Sequence, residues 1–134
     1  MVGAVIITHG DISRSLCEAA EAITGKADMI KTISVKSSNA TEDIRNTLAS
    51  SVKEADSGFG VIIFTDMFGG TPTNIALSLL EEGRVEVITG VNLPMLLKFI
   101  GHRAEKEIGE LAVFLREYGR NSVILAGEML KEKK

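Results

Sequence analysis

A chain of 134 residues is about the size of one domain, and at that length folding removes roughly two-thirds of the unfolded surface from water. Apolar residues make up 45% of it but aromatics only 4%, so Ile, Val, Leu, Met and Ala must fill the interior, which favours an α/β domain over a Tyr- and Trp-rich sandwich. Fifteen basic and eighteen acidic residues leave a formal charge of −3, and no basic cluster precedes Lys131, Lys133 and Lys134, so nucleic acid is not an expected partner.

The start of the chain, Met1 to Thr8, is apolar but short and has no basic flank, and no later stretch approaches the roughly 18 apolar residues of a membrane span. The expectation is a soluble, cytoplasmic protein. Val2 to Ile7 lacks polar alternation and is rich in β-branched residues, as a strand covered on both faces requires. From Asp11 the period changes. Ile12, Leu16, Ala19, Ala20 and Ile23 recur at helical spacing, with Asp11 placed to cap the start and Gly25 to end the helix. Cys17 lies within it, and a lone cysteine supports neither an internal disulfide nor a Cys-rich metal site.

Met29 to Val35 reads as a second strand. Asn39, with Glu42 three residues on, opens a helix whose apolar stripe is Ile44, Leu48 and Val52. After Ser57-Gly58, Gly60 to Thr65 is another fully apolar strand, ending abruptly at Asp66. Pro72 suits the first turn of a helix running through Leu80, which Gly83 closes. Val85 to Thr89 makes a fourth strand, Pro94 opens a short helix ending near Gly101, and Ile108, Leu111, Ala112 and Leu115 mark a longer one ended by Gly119. Ser122 to Ala126 looks like one more strand before a charged end that frays. Alternating strands and helices with short connections build a parallel sheet covered on both faces. With no linker or repeat, residues 1–134 form a single domain.

In such sheets ligands bind beyond the carboxyl ends of the strands. His9 follows the first strand and Asp66 follows the strand at 60–65, so adjacent strands would bring the two together. A carboxylate that accepts from Nδ1–H fixes the imidazole tautomer and leaves the Nε2 lone pair free as a nucleophile. Gly69-Gly70-Thr71-Pro72 is a second element, where the backbone can approach a ligand closely at a helix start that favours phosphate. Neither a mononucleotide P-loop nor a dinucleotide fingerprint is present. Asn92 and Pro94 follow the fourth strand and could border the same crevice, although an Asn turn before a helix is the commoner role. His102 falls in a charged, solvent-facing loop, and two unpaired histidines do not suggest zinc. Arg14 lies on a solvated helix face.

Three stretches, Ile6-Ile-Thr-His-Gly10, Asp66-Met-Phe-Gly-Gly-Thr-Pro-Thr-Asn74 and Gly90-Val-Asn-Leu-Pro-Met-Leu96, resemble in order and spacing the signatures of IIA domains of the mannose family of the phosphoenolpyruvate-dependent sugar phosphotransferase system. The resemblance implies a phosphoryl carrier in which His9 accepts phosphate from phospho-HPr and passes it to a IIB component during sugar uptake. Asp66 would orient the imidazole, and Gly10, Gly69, Gly70 and Thr71 would hold the phosphoryl group without metal or other cofactor. It also implies a homodimer formed by exchange of the C-terminal strand at Ser122 to Ala126, and contact with the membrane IIC and IID components only through IIB.

The architecture expected is therefore one open, doubly wound, mainly parallel sheet in the order 2-1-3-4, flanked by helices. In-line transfer between imidazoles needs alignment and stabilisation of the equatorial oxygens, for which amides around Gly10 and from Gly70 to Thr71 are available. Both partners being proteins, the interfaces should be transient and below about 1,200 Å². Met67, Phe68 and Met95 are candidates for their apolar part, although each could equally be core. Asp11, two residues from His9, would repel a phosphoryl group unless it caps the first helix and points away. Two rivals share the fold. One is the phosphocarrier subunit of phosphoenolpyruvate-dependent dihydroxyacetone kinase, which usually follows its histidine with serine and lacks a clear counterpart of the 69–74 stretch. The other is a regulatory module that senses phosphorylation and transfers nothing.

Overall fold

The structure, a computed structural model, describes residues 1–132; Lys133 and Lys134 of the charged end lie outside the described residues. In chain order the elements are β1 (Gly3–His9), α1 (Ile12–Thr24), β2 (Ile30–Val35), α2 (Thr41–Ala55), β3 (Val61–Thr65), α3 (Gly70–Leu77), β4 (Val85–Ile88), α4 (Leu93–His102), α5 (Ile108–Asn121) and α6 (Ala126–Glu132). The four strands form one parallel sheet in the order β2-β1-β3-β4, as expected.

Side chains alternate across a strand, and β1 and β3 are apolar on both faces because both faces are covered. Val2, Ala4, Ile6, Ile62 and Phe64 pack with Ile88 and with side chains of α1, α4 and α5. Val5, Ile7, Val61 and Ile63 pack on the opposite side with Ile44, Leu48 and Ala55 of α2 and Ile75 and Ala76 of α3. Each large aliphatic side chain so buried contributes about 1.5–3 kcal/mol. Phe64 meets Phe99 edge to face, with ring centroids 5.4 Å apart.

Several local expectations are corrected. Asp11 does not cap α1; the hydroxyl of Thr8 accepts from the Ser13 N–H instead, at 2.8 Å. Ile12 and Ile23 are exposed, and the face of α1 turned inward carries Ser13 and Ala20 with Leu16 and Cys17. Burial and the neighbouring glutamates push the Cys17 thiol up from its ordinary range. Asn39 does not cap α2; its side-chain Oδ1 accepts from the Lys36 N–H at 2.9 Å, and the helix begins two residues later without a capping side chain. Helix α3 stops at Leu77 rather than Leu80, the chain turning through 78–84 into β4.

Gly119 does not end α5, which runs on to Asn121. The glycine serves space instead: a Cβ there would strike the terminal methyl of Met95 in α4, and the Asn92 side-chain amide donates to the Gly119 carbonyl at 3.1 Å. Finally, Ser122 to Ala126 is not a strand. Val123, Ile124 and Leu125 are irregular and exposed, and α6 follows. A β-strand needs a ladder to join, and within the chain this segment pairs with neither edge of the sheet.

Candidate functional site

The sheet order decides what can meet. β1 lies between β2 and β3, with Ile7 opposite Thr65 and His9 opposite Val35. The residues just beyond these strands, on either side of His9, therefore face one another at the carboxyl edge. Asp66 comes from the β3 side: its Oδ2 accepts from His9 Nδ1 at 2.8 Å and from the His9 main-chain N–H at 3.1 Å. An ionised carboxylate can only accept, so of the two neutral tautomers this contact selects the one with the proton on Nδ1 and the lone pair on Nε2. The imidazole is 47% exposed and the carboxylate 15%, so the ring is open to solvent while its hydrogen-bond partner is shielded. Asp66 Oδ1 is buried and makes no hydrogen bond.

The 69–71 turn is pressed against the same ring. At Gly70, φ is +79°, and a Cβ would come within 3.0 Å of His9 Cε1 and 3.3 Å of Nε2. A side chain there would be strained by the backbone and crowded by the imidazole, so only glycine brings the main chain this close. Helix α3 starts at this point, and its first amides have no intrahelical acceptor. The turn is held from beneath by buried hydroxyls: Thr65 and Thr73 share a hydrogen bond at 2.8 Å, and Thr73 also donates to the Met67 carbonyl. Thr71 does not cap the helix, whose N-cap is Gly69; it is exposed beside His9.

Gly10 takes a different part from the one expected. Its N–H donates to the Val35 carbonyl at 2.9 Å, continuing the sheet ladder, and is not available to a ligand. Asp11 points away from the imidazole: it accepts from the Ser34 hydroxyl at 2.9 Å and pairs with Arg14 at 3.2 Å. That hydroxyl, Arg14 and Lys36 together hold its carboxyl below the usual range. Asn92 caps α4 and tethers α5, away from His9. His102 ends α4, partly covered and packed against Phe114 with centroids 4.9 Å apart, not in a solvent-facing loop. Met95 is core, whereas Met67 and Phe68 are exposed, Phe68 by 77%.

A groove of about 300 Å³ opens beside the imidazole, lined by His9 and Thr71, by Lys36, Ser37 and Asn39 of the β2–α2 connection and by Thr41 at the start of α2. These last four were missed in the sequence. The available signal was topological: once β2 neighbours β1, whatever follows Val35 must stand beside whatever follows His9. Among the described residues no three His, Cys, Asp or Glu side chains gather into a metal-binding group, and no helix is long and apolar enough to cross a membrane.

The doubly wound α/β domain thus holds a carboxylate-paired imidazole at the carboxyl edge of its sheet. Residues 3–115 match the family described as PTS system fructose IIA component, and the chain belongs to that family, the mannose-type IIA components of sugar phosphotransferase systems. It is 27% identical to the PTS system fructose-specific EIIA component of Bacillus subtilis over all of its own length and 92% of that protein. It is 29% identical to the PTS system mannose-specific EIIAB component of Escherichia coli over 91% of this chain, but spans only 38% of that relative. Among solved structures it is similar to the PTS IIA protein associated with the fucose utilization operon of Streptococcus pneumoniae, with a TM-score of 0.85, 26% identity, and coverage of 97% of this chain and 99% of the other.

Proposed function

We propose that this chain carries a phosphoryl group on Nε2 of His9, taking it from phospho-HPr and giving it to a IIB component during sugar uptake. The observation that carries the reading is the 2.8 Å contact of Asp66 with His9 Nδ1, which turns Nε2 outward beside the Gly70 turn. In the transfer, the Nε2 lone pair forms a bond to phosphorus as the donor's P–N bond breaks, and that electron pair returns to the donor imidazole. Handing on reverses the roles. The free amides of Gly70 and Thr71 and the Thr71 hydroxyl would bind the equatorial oxygens of the metaphosphate-like transition state. Asp66 balances the positive charge that the ring gains on phosphorylation. Exposed Met67 and Phe68 flank the site and would meet the partner proteins.

The test is incubation of the protein with phosphoenolpyruvate, enzyme I and HPr. One acid-labile, alkali-stable phosphoryl group is expected, absent from His9→Ala and lost on addition of a mannose-type IIB. A wild-type protein that takes no label would refute the carrier function, and a label that IIB does not remove would leave a phosphorylation-sensing module.

A homodimer belongs to the same proposal, formed as each chain lends its C-terminal segment to the other. In support, Val123, Ile124 and Leu125 are exposed by 78%, 55% and 68%. The edge strand β4 also borders an apolar groove of about 380 Å³ lined by Phe68, Leu77, Val87, Ile88 and Val113.

A further inference from the structure

The carrier reading assigns no cation to the phosphoryl group, although phosphorylation would bring about two negative charges to the edge of the sheet. Among the described residues one cation lines the groove beside His9. Lys36 is the first residue after Val35, which is the register partner of His9, and it lines the same groove as the imidazole. Its main chain is held in a closed turn: the Lys36 N–H donates to Asn39 Oδ1 at 2.9 Å, and the Asn39 N–H donates to the Lys36 carbonyl at 3.0 Å. The base of the side chain is thereby fixed beside the groove.

The ammonium feels the charge of Asp11, whose carboxyl it helps to hold low, but forms no close ion pair among the described residues. Among the described residues no carboxylate oxygen lies within 4 Å of it, whereas Lys31 and Lys106 are both paired. Nor does it lie over an aromatic ring, unlike Lys98 and Lys106. Two nearby carboxylates of this edge of the sheet have other partners. Asp11 binds Ser34 and Arg14, and Asp66 binds His9. Across the groove stands Thr71, at the turn that touches the imidazole.

We infer that Lys36 is a phosphoryl-contacting residue, its ammonium closing over the oxygens of the group on His9 Nε2 from the β2 side while the Gly70–Thr71 turn holds them from the β3 side. The inference rests on the carrier reading above. No bond is made or broken at Lys36; its charge favours the phosphorylated form over the free imidazole, and so acts on an equilibrium as well as a rate. Arginine would preserve the effect, since it keeps the charge and adds donors.

The experiment uses the full chain, brought to equilibrium with phospho-HPr, comparing wild type, Lys36→Met, Lys36→Arg and, as a distant charge control, Lys31→Met. In Lys36→Met the equilibrium constant for phosphoryl acceptance is expected to fall about three- to tenfold, the range for a charge contact at a partly exposed site. The phosphorus resonance of the phosphohistidine should titrate at higher pH than in wild type, because a nearby cation favours the dianion. Lys36→Arg should restore both, and Lys31→Met should alter neither. If Lys36→Met slows transfer but leaves the equilibrium and the titration in place, Lys36 serves protein docking only and the inference is overturned. It is equally overturned, with the carrier reading intact, if Lys36→Met matches wild type throughout. A wild-type protein that accepts no phosphoryl group ends both.

Discussion

The pairing of His9 with Asp66 is made at a single oxygen, which receives a ring N–H and a main-chain N–H from the same residue. The imidazole is thus referred to its own backbone through one atom. Substituting Asp66 by Asn keeps the volume but offers the ring an amide that can donate as well as accept, so the tautomer with Nδ1 unprotonated is no longer excluded. Transfer from phospho-HPr to Asp66→Asn should slow about 10- to 100-fold, the scale on which orienting partners of histidine act. Urea unfolding should be little changed, and a rate equal to wild type would remove Asp66 from the reaction. At this scale the sequence was informative. His9 and Asp66 are 57 residues apart, yet each stands at the end of a strand, and the glycine turn begins just beyond Asp66. Lys36 was harder to find, because a lysine after a strand looks like any solvated loop residue until the strand's neighbour is known. The hydroxyl brace of Thr65 and Thr73 left no pattern at all, since threonine fits a strand end and a helix start equally well.

Helix ends were the least legible elements, and for a physical reason. Asp11 and Asn39 are both good capping residues, but each found a competing partner brought by the fold, the Ser34 hydroxyl in one case and the Lys36 amide in the other. Gly119 misled in another way, marking a close crossing of α4 and α5 rather than a stop. Gly119→Ala should therefore destabilise by about 1–3 kcal/mol, the usual cost of overpacking, as read from the urea midpoint. Gly101→Ala in α4, where nothing lies within 4 Å, should instead stabilise by about 0.5–1 kcal/mol.

The connection into β3 supplies a pH-dependent term. Asp56 accepts from the N–H of Gly58 at 2.8 Å, from the N–H of Gly60 at 3.2 Å and from Arg84 at 2.9 Å. The Gly58 amide, followed by those other partners, outweighs burial and holds its carboxyl below the ordinary range. A depressed folded-state value stabilises the fold above the unfolded carboxylate's pKa of about 3.9, and the contribution disappears as pH falls through the folded value. The stability gap between wild type and Asp56→Asn should accordingly be constant from pH 7 to 5 and close as the pH is taken below 4.

For the molecule as a whole, the class and order of the sheet were readable because β1 and β3 are continuous apolar runs, which only a doubly covered sheet accepts. The C-terminal segment was not, because its apolar residues ask for a neighbour that one chain does not offer them. If a second chain covers them, Ile124→Lys should convert a dimer to a monomer in sedimentation without unfolding the domain. Wild type that sediments as a monomer at micromolar concentration would remove the exchange from the proposal. Burial of Arg103, whose guanidinium donates to the Asp28 carbonyl at 2.6 Å and lies over Phe99, was equally unmarked.

The central position of β1 also has a bearing on biosynthesis. Of the four strands β1 is translated before the others, and it pairs on one side with residues 30–35 and on the other with residues 61–65. Until the second of these has been translated, an apolar ribbon waits half-paired, a state in which nascent chains are open to wrong association. The imidazole at its tip waits as well, since the aspartate bonded to it is added 57 residues later. A ribosome stalled before that point would display a histidine with no carboxylate beside it, and the pair is completed by the same event that gives β1 its second neighbour.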